Sequence, residues 1–413
     1  MSARDPGTTA SGPALSSPIR DVRITGLDIT LVTIPFTRPE LWAWGERTGL
    51  TSAVIELHTD HGIDGLGEAL VVLGPTPSIV TEILRRMGEF VVGEAPNRVE
   101  YLTSRVLGEG AWHAFRETAF TCWAGIDMAC WDIVGKATGM SVSEMLGGPI
   151  RPDVPAMFYV YGSHDLPEMV DYAREGVARG FGTLYVKVGI DEERDVELVA
   201  RLREVVGPRP RIRVDANEAW SPGTAVRVLG RMRPYVIEYA EQPTLMYDIA
   251  GLAHVRRAAG VPVAANQSSW GEFRLIDLIR RDACDVLMTD PHQEGGILAF
   301  KKAAAIAHAA GLPIVNHAFS PGTITMHAQL SVMGSSPGFI LANQGHQDLL
   351  EGDVVTTPLS YEGGRMAIPT GPGLGLELDR ARLDDYHAAY ERQGFASAHA
   401  GQDADRMMTV PNQ

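Results

Sequence analysis

The apolar and polar positions follow two different periods along the chain. From residue 19 to about residue 64 they alternate, in "DVRITGLDITLVTIPF" and "TSAVIELHTDHGIDGLGEA", which predicts strands paired in a meander or hairpin. From about Pro77 to Leu146 the spacing becomes helical, and "AFTCWAGIDMACWDIVGKATG" predicts a long apolar helix that ends at Gly139. We therefore predict an α+β domain over residues 19–148.

Short apolar strands alternate with helical stretches after Val154. Eight strands are predicted, with the sequences "VPAMFYVY", "TLYVKV", "RIRVDA", "VIEYAE", "VPVAAN", "CDVLMTD", "PIVNHAF" and "FILANQ". Such alternation indicates a parallel sheet, and eight units within residues 149–375 are typical of a (β/α)8 barrel. The predicted fold class is α/β, a TIM-like barrel with an N-terminal α+β domain.

Composition narrows the class of protein. Of the 413 residues 45% are hydrophobic, enough for a large core, and 36 basic against 51 acidic side chains give a net charge of −15. This balance argues against nucleic acid as a partner, because nucleic acid binding requires a basic face. Three cysteines occur without a CxxC spacing, and no run approaches the ~20 apolar residues of a membrane span. We expect a cytoplasmic protein that does not contact membranes.

Both ends of the chain differ in composition from the regions between them. The segment "MSARDPGTTASGPALSSP" has no apolar stretch of the kind found in secretory signals, so residues 1–18 are predicted to form a flexible leader. Residues 397–413, which include "GQDADRMMTVPNQ", are predicted to form a flexible tail.

Polar residues end six consecutive predicted barrel strands. They recur at intervals of 24 to 28 residues and are Lys187, Asp215, Glu241, Asn266, Asp290 and His317. Even spacing places all six at the carboxyl ends of successive strands, and the active sites of such barrels lie at that rim. The sequence therefore predicts that these six side chains share one site.

Asp215, Glu241 and Asn266 offer oxygen donors from three neighbouring strands. Oxygen donors that converge from one side suit a hard cation, and Mg²⁺ keeps open positions for substrate and water. For each residue alone the alternative is a structural role, since strand-end carboxylates commonly cap the following helices. Three such residues in register favour a Mg²⁺ site.

Asp290 and His317 end the next two strands, within predicted hydrogen-bonding reach. A carboxylate fixes the tautomer of a histidine and stabilises its cationic form, which suits proton transfer, whereas a packed structural histidine is the alternative. Lys187 would lie across the cation from His317. Two proton-transfer groups that flank one cation indicate chemistry at the carbon next to a carboxylate, so we expect a small-molecule carboxylate as substrate.

Aromatic and basic residues supply further candidates for substrate contacts. The segment "WAWGER", from Trp42 to Arg47, is predicted to be a loop of the first domain that covers the barrel mouth. There Trp44 and Arg47 would contact a carboxylated ligand, and a loop packed for stability is the alternative. Tyr159 ends the first barrel strand and is another candidate, although a packed tyrosine is the favoured interpretation.

The ordered set of motifs resembles the enolase superfamily. The helix "WAGIDMACWDIVGKATGMSVSEMLGG" resembles the segment that joins that family's capping domain to its barrel. The motifs "VKVG", "VDANEAW", "YAEQP", "DPHQEGG", "NHAF" and "PGLGLEL" follow in the family's order, over about Ile19 to Tyr390. The histidine–aspartate pair resembles the mandelate racemase type of site. The third donor Asn266 in "PVAANQ", with "YAE" and "DPH", resembles the glucarate dehydratase group most closely.

This resemblance implies roles for the residues that match its motifs. Mg²⁺ would be bound by Asp215, Glu241 and Asn266, and the acid/base pair would be Lys187 and His317, with Asp290 orienting His317. Asn217 in "VDANEAW" and His346 in "ANQGHQD" would contact the substrate. The resemblance further implies that the first domain caps the barrel, that residues 376–396 return to it, and that the protein forms a homo-oligomer.

Two positions depart from the family pattern. The family usually has Lys-x-Lys on the second barrel strand, whereas here Tyr185 takes the first place and removes a positive neighbour that would make Lys187 a better base. The glucarate group carries an asparagine two residues after its catalytic histidine, and here Phe319 makes that position an aromatic wall. Both residues are candidates for substrate contact, and glucarate itself is not the expected substrate.

The leading expectation is a Mg²⁺-dependent dehydratase of a hydroxylated carboxylate such as an acid sugar. Lys187 or His317 would take the proton next to the carboxylate, and the enediolate would expel the β-hydroxyl to give a 2-keto-3-deoxy acid. One alternative is a racemase or epimerase that uses the same site. Another is a non-catalytic ligand-binding member of the family, an alternative supported by Tyr185 alone.

Overall fold

The computed structural model of the protein describes residues 19, 21–71, 76–110 and 112–396. The predicted leader at 1–18 and tail at 397–413 lie outside the described residues. Within them, no helix combines the length and the apolar character needed to cross a membrane.

The N-terminal domain is an antiparallel meander covered by helices. Its strands hydrogen-bond in the order β1 (Ile24–Trp42), β2 (Gly45–Thr59) and β3 (Gly65–Leu70). Its helices are α1 (Pro77–Val91), α2 (Val99–Glu109), α3 (Arg116–Thr138) and α4 (Val142–Met145). Helix α3 ends as predicted at Gly139, whose φ of 73° is left-handed and favours glycine. It packs so closely on β3 that a Cβ at Gly67 would lie 1.8 Å from the carbonyl oxygen of Gly125.

Seven parallel strands curl into the second domain and confirm the predicted fold class. After β4 (Asp153–Pro155), the parallel strands are β5 (Phe158–Val160), β6 (Thr183–Lys187), β7 (Arg211–Asp215), β8 (Ile237–Glu241), β9 (Val263–Ala265), β10 (Val286–Thr289) and β11 (Ile314–Asn316). β12 (Arg365–Ala367) pairs with β4. The helices are α5 (Leu166–Ala178), α6 (Glu192–Val206), α7 (Pro222–Met232), α8 (Ile249–Ala258), α9 (Gly271–Arg280), α10 (Pro291–Glu294), α11 (Ile297–Ala309), α12 (Thr323–Gly334) and α13 (Arg380–Gln393), with 3₁₀ turns at Arg233–Tyr235 and Gln347–Leu349.

Two of the eight predicted barrel strands differ in the structure. The segment "VPAMFYVY" divides into β4 and β5, because β4 pairs with β12 outside the parallel sheet. The segment "FILANQ" is not a regular strand, yet it connects the two ends of the sheet. The Asn343 N–H donates to the Pro155 carbonyl at 2.8 Å and the Gln344 N–H to the Asn316 carbonyl at 3.1 Å. The side chain of Asn343 accepts from the Asn316 N–H at 2.9 Å, a bond that a backbone ladder would otherwise make.

The prediction of a loop at "WAWGER" was wrong. These residues form the tip of the β1–β2 hairpin, where Trp42 pairs with Gly45 and Glu40 pairs with Arg47. The tip contacts the loops that follow β5 and β7. The Leu41 N–H donates to the Gly162 carbonyl at 2.9 Å, and the Trp44 indole N–H donates to the Asn217 carbonyl. The hairpin is therefore held over the barrel rim, and tertiary contacts extend its strands beyond the meander.

Buried carboxylates of the N-terminal domain bind the starts of barrel helices. Asp127 of α3 accepts from the Ile297 N–H at 2.6 Å, at the first residue of α11. Glu68 of β3 accepts from the Gly322 N–H at 3.1 Å and from the Thr325 hydroxyl at 2.7 Å, at the start of α12. Helix α13 contacts β1 of the same domain. The N-terminal domain thus fixes the helices that follow β10 and β11.

Candidate active site

The six polar strand-end residues meet at one rim of the barrel. β6, β7 and β8 end at Lys187, Asp215 and Glu241, which are neighbours in the strand register. The other three follow directly the last residues of β9, β10 and β11. All six are at most 6% exposed and are Lys187, Asp215, Glu241, Asn266, Asp290 and His317. Burial of so many ionisable groups in one place is costly unless they are paired or used, which marks the rim as a candidate site.

Two glutamines hold Asn266, the third donor of the proposed metal site. Gln242, which follows Glu241 with a positive φ of 32°, accepts from the Asn266 N–H at 3.0 Å. The Asn266 amide NH₂ lies 3.3 Å from the Gln293 side-chain oxygen. The Asn266 Oδ1 is buried and has no hydrogen-bond partner in the described residues. An unpaired buried oxygen at the same rim as two carboxylates is the arrangement expected of a cation ligand.

The carboxylates of Asp215 and Glu241 repel each other. Burial, with the negative charge of Asp215, raises the pKa of Glu241 well above its ordinary value. A divalent ion would remove that repulsion. No three His, Cys, Asp or Glu side chains group as a metal site in the described part of the chain, and the third donor here is an amide. The residues Asp215, Glu241 and Asn266 therefore fit Mg²⁺ by donor type and by the unpaired amide oxygen.

Lys187 is held by its neighbours at the end of β6. Its Nζ donates to Asp215 Oδ2 at 2.7 Å and to the Tyr185 hydroxyl at 3.2 Å. The Tyr185 hydroxyl in turn donates to the same Asp215 oxygen. Burial, followed by the charge of Asp215, raises the pKa of Tyr185 well above its ordinary value, so the phenol keeps its proton. Tyr185 thus supplies a neutral donor at the place where the family usually has a cation.

Asp290 and His317 form a hydrogen-bonded pair. His317 Nδ1 lies 2.6 Å from Asp290 Oδ2, and Asp290 Oδ1 accepts from the N–H groups of His292 and Gln293 at 2.7 and 2.9 Å. Burial opposes the charged form of Asp290, yet the hydrogen bond and charge of His317 outweigh it and lower the pKa of that carboxyl. Because Nδ1 is used in this pair, Nε2 is the nitrogen of His317 that remains for proton transfer.

Aromatic rings surround a buried ion pair in the hairpin. Arg47 donates through Nε to Glu40 Oε2 at 2.7 Å and through a second nitrogen to the same oxygen. The Arg47 guanidinium lies 5.1 Å from the ring centre of Trp42 and 5.7 Å from that of Phe319. Phe319 also packs edge-on against His317 with ring centres 5.1 Å apart. Trp42 of the hairpin and Phe319, which follows β11, therefore form an aromatic wall beside His317.

Of the other predicted contacts, Trp44, Asn217, Tyr159 and His346 lie at the same rim. The Trp44 indole N–H donates to the Asn217 carbonyl at 2.7 Å. The rings of Tyr159 and His346 have centres 4.5 Å apart, and neither the Tyr159 hydroxyl nor the His346 Nε2 has a hydrogen-bond partner in the described structure. Burial, with the positive charge of Lys187, lowers the pKa of His346 well below its ordinary value, so its ring is neutral.

Besides Gln242 and Gln293, three more residues at the site were not found from the sequence. Gln344 donates to Glu241 Oε2 at 3.3 Å, Glu40 pairs with Arg47, and Ser320 lies 3.2 Å from His346 Nδ1. Gln344 stands two residues before His346 in "ANQGHQD", which is the only local signal for it. Glu40 carries no such signal, because its partner lies across the hairpin.

Comparison with known families identifies the chain's relatives. Residues 26–147 match the model of the mandelate racemase / muconate lactonizing enzyme N-terminal domain, and residues 168–382 match the enolase C-terminal domain-like model. The chain belongs to the enolase superfamily. The predicted resemblance is thereby confirmed, including the mandelate racemase type of the protein.

Relatives within this superfamily differ in activity. D-galactarolactone cycloisomerase of Agrobacterium fabrum is 28% identical over 81% of this chain and 90% of its own length. A probable glucarate dehydratase of Streptomyces coelicolor is 28% identical over 89% and 92%. An enolase from Thermobispora bispora, solved with magnesium and formate, is 29% identical over 90% of this chain and 94% of its own, with a TM-score of 0.82. Dehydratases, cycloisomerases and epimerases all occur among the matched superfamily members.

Proposed function

We propose that this protein is a Mg²⁺-dependent dehydratase of a hydroxylated carboxylate, an acid sugar or a related compound. The observation that carries the proposal is the Asp290–His317 pair on the same buried rim as two carboxylates and the unpaired amide oxygen of Asn266. Superfamily relatives that remove water from acid sugars, such as the probable glucarate dehydratase, add support.

Asp215, Glu241 and Asn266 would hold the cation. When bound there, Mg²⁺ supplies a positive field that acidifies the proton next to the substrate carboxylate and stabilises the negative charge left by its removal. Tyr185 and Lys187 add a hydroxyl and an ammonium on the Asp215 side. Both are donors, and they favour a negatively charged ligand beside them.

The proton transfer is assigned to His317. Its Nδ1 is held by Asp290, so Nε2 takes the proton from the carbon next to the carboxylate. The resulting imidazolium, stabilised by Asp290, gives a proton to the departing β-hydroxyl, which leaves as water. The enol product then tautomerises to a 2-keto-3-deoxy acid. One histidine thus serves as base and then as acid.

The role of Lys187 distinguishes the two candidate functions, dehydratase and racemase. Exchange of one proton between the two faces of a carbon needs a base on each face, and the Lys187 ammonium is bound by a carboxylate and a phenol. We therefore assign Lys187 to stabilisation of charge. The second candidate function is a racemase or epimerase, favoured by the position of β6 and β11 at opposite sides of the strands that bear the donors.

A library of acid sugars incubated with the Mg²⁺-loaded protein tests the proposal. A dehydratase gives a keto acid that reacts with semicarbazide. An epimerase changes the optical rotation and yields no semicarbazone. Turnover without keto acid would contradict the proposed function.

A further inference from the structure

The two basic side chains that face the aromatic wall are already paired. The Lys187 Nζ and the Arg47 guanidinium lie 5.9 and 5.1 Å from the ring centre of Trp42. Lys187 is bound by Asp215, and Arg47 by Glu40, which is fully buried. Each of the two positive charges therefore already has a carboxylate partner within the protein.

The other side chains of this wall, which are Phe36, Phe319, Tyr159 and His346, carry no charge. Besides Trp42, the Arg47 guanidinium lies 5.6 Å from the ring centre of Phe36 and 5.7 Å from that of Phe319. The buried Tyr159 hydroxyl and the neutral His346 ring have polar atoms without partners in the described structure. Such groups exchange hydrogen bonds with hydroxyls, and they do not compensate a buried negative charge.

We propose that the substrate carries a single carboxylate, next to the reacting carbon, and that its distal end is uncharged. It would be an aldonate-like monoacid and not a diacid of the aldarate type. Glu40 already holds Arg47 and Asp215 holds Lys187, so a second carboxylate in this wall would be buried beside cations that have carboxylate partners of their own. The inference rests on the proposed function and names its substrate class.

The test compares six-carbon aldonates with aldarates of the same configuration, using the Mg²⁺-loaded protein. We expect kcat/KM to favour the monoacids by about a hundredfold or more, since polar mismatch in a buried site is strongly discriminating. Glu40→Gln keeps the shape of the side chain and releases the charge of Arg47, so the preference is expected to fall by about tenfold, as for one charge-assisted hydrogen bond. Glu168→Gln makes the same charge change beside the surface Arg38, and there the preference is expected to stay unchanged.

A binding measurement without turnover tests substrate recognition by itself. The same acids are titrated calorimetrically into His317→Asn with Mg²⁺, where the monoacids are expected to bind more tightly than the diacids. The wild-type ratio tests the inference even where Glu40→Gln folds poorly.

Turnover with a preference for diacids would overturn the inference and leave the proposed function standing. Monoacid-selective binding, together with no water loss from any of these acids in the wild type, would overturn the proposed function and leave the inference standing. Binding of neither class would overturn both.

Discussion

Two carboxylates at the barrel rim each hold one basic side chain, and they differ in what else they bind. Asp290 lies 2.6 Å from His317, and its other oxygen is bound by two backbone N–H groups of its own helix. Asp215 lies 2.7 Å from Lys187, and the same oxygen also accepts the Tyr185 hydroxyl. Asp215 belongs in addition to the proposed metal donors. The first carboxylate is therefore an orienting group with fixed partners, whereas the second would be shared between protein donors and the proposed cation.

Replacement of His317 by Asn breaks the first pair and is expected to have the largest effect. Loss of a general acid/base group lowers turnover by about 10²–10⁴-fold. Exchange of the substrate α-proton with deuterated solvent, followed by NMR, is expected to disappear as well. The control is Lys187→Ala, in which exchange is expected to persist at a reduced rate. Exchange that survives without His317 and disappears without Lys187 would reverse the two assignments.

Lys187→Met removes the ion pair between Lys187 and Asp215, the second of the two pairs compared above. We expect turnover to fall by about 10²-fold, because one donor to the developing negative charge is lost. Mg²⁺ binding is expected to tighten, since the ammonium no longer occupies the Asp215 oxygen that a cation would use. Calorimetric titration of Mg²⁺ into both proteins measures this, and weaker binding in the variant would show that Lys187 does not compete with the metal.

Asn266→Asp tests the charge of the donor set. A third carboxylate should retain Mg²⁺ and should oppose the negative charge that develops on the substrate. We expect turnover to fall roughly tenfold, equivalent to ~1.4 kcal/mol in the barrier. Unchanged kcat with unchanged metal content would contradict the role given to the neutral amide.

The lowered pKa of Asp290 predicts a small dependence of stability on pH. A carboxyl group whose pKa is lower in the folded state stabilises the fold above its unfolded pKa of about 4 and loses that contribution as pH falls through the folded value. The free energy of unfolding of wild type, relative to Asp290→Asn, should therefore decrease as pH is lowered below about 4. Urea unfolding at pH 6 and below pH 4 measures it, and a constant difference would show that His317 does not stabilise the Asp290 carboxylate.

The barrel rim was predictable from the sequence because it depends on register alone. Parallel strands of similar length bring their carboxyl ends to one edge, so the intervals of 24 to 28 residues between Lys187 and His317 were enough to place six residues together. The hairpin tip was not predictable in the same way. The pairing of Trp42 with Gly45 depends on contacts with Gly162 and Asn217, which are more than a hundred residues away in the chain.

The sequence by itself determined the change from an α+β to an α/β region, most of the elements and the alignment of the polar strand ends, because each follows from a local period of apolar residues. Only the tertiary structure decided how the charges at that rim are paired. Glu40 meets Arg47 across a hairpin, and Tyr185 and Lys187 share one oxygen of a neighbouring strand. Gln344 reaches Glu241 from the segment that closes the barrel. The contacts of Glu40 and Gln344 join residues without a common period. Burial makes each partner necessary, since an ionised group removed from water needs a counter-charge or hydrogen bonds wherever the fold supplies them.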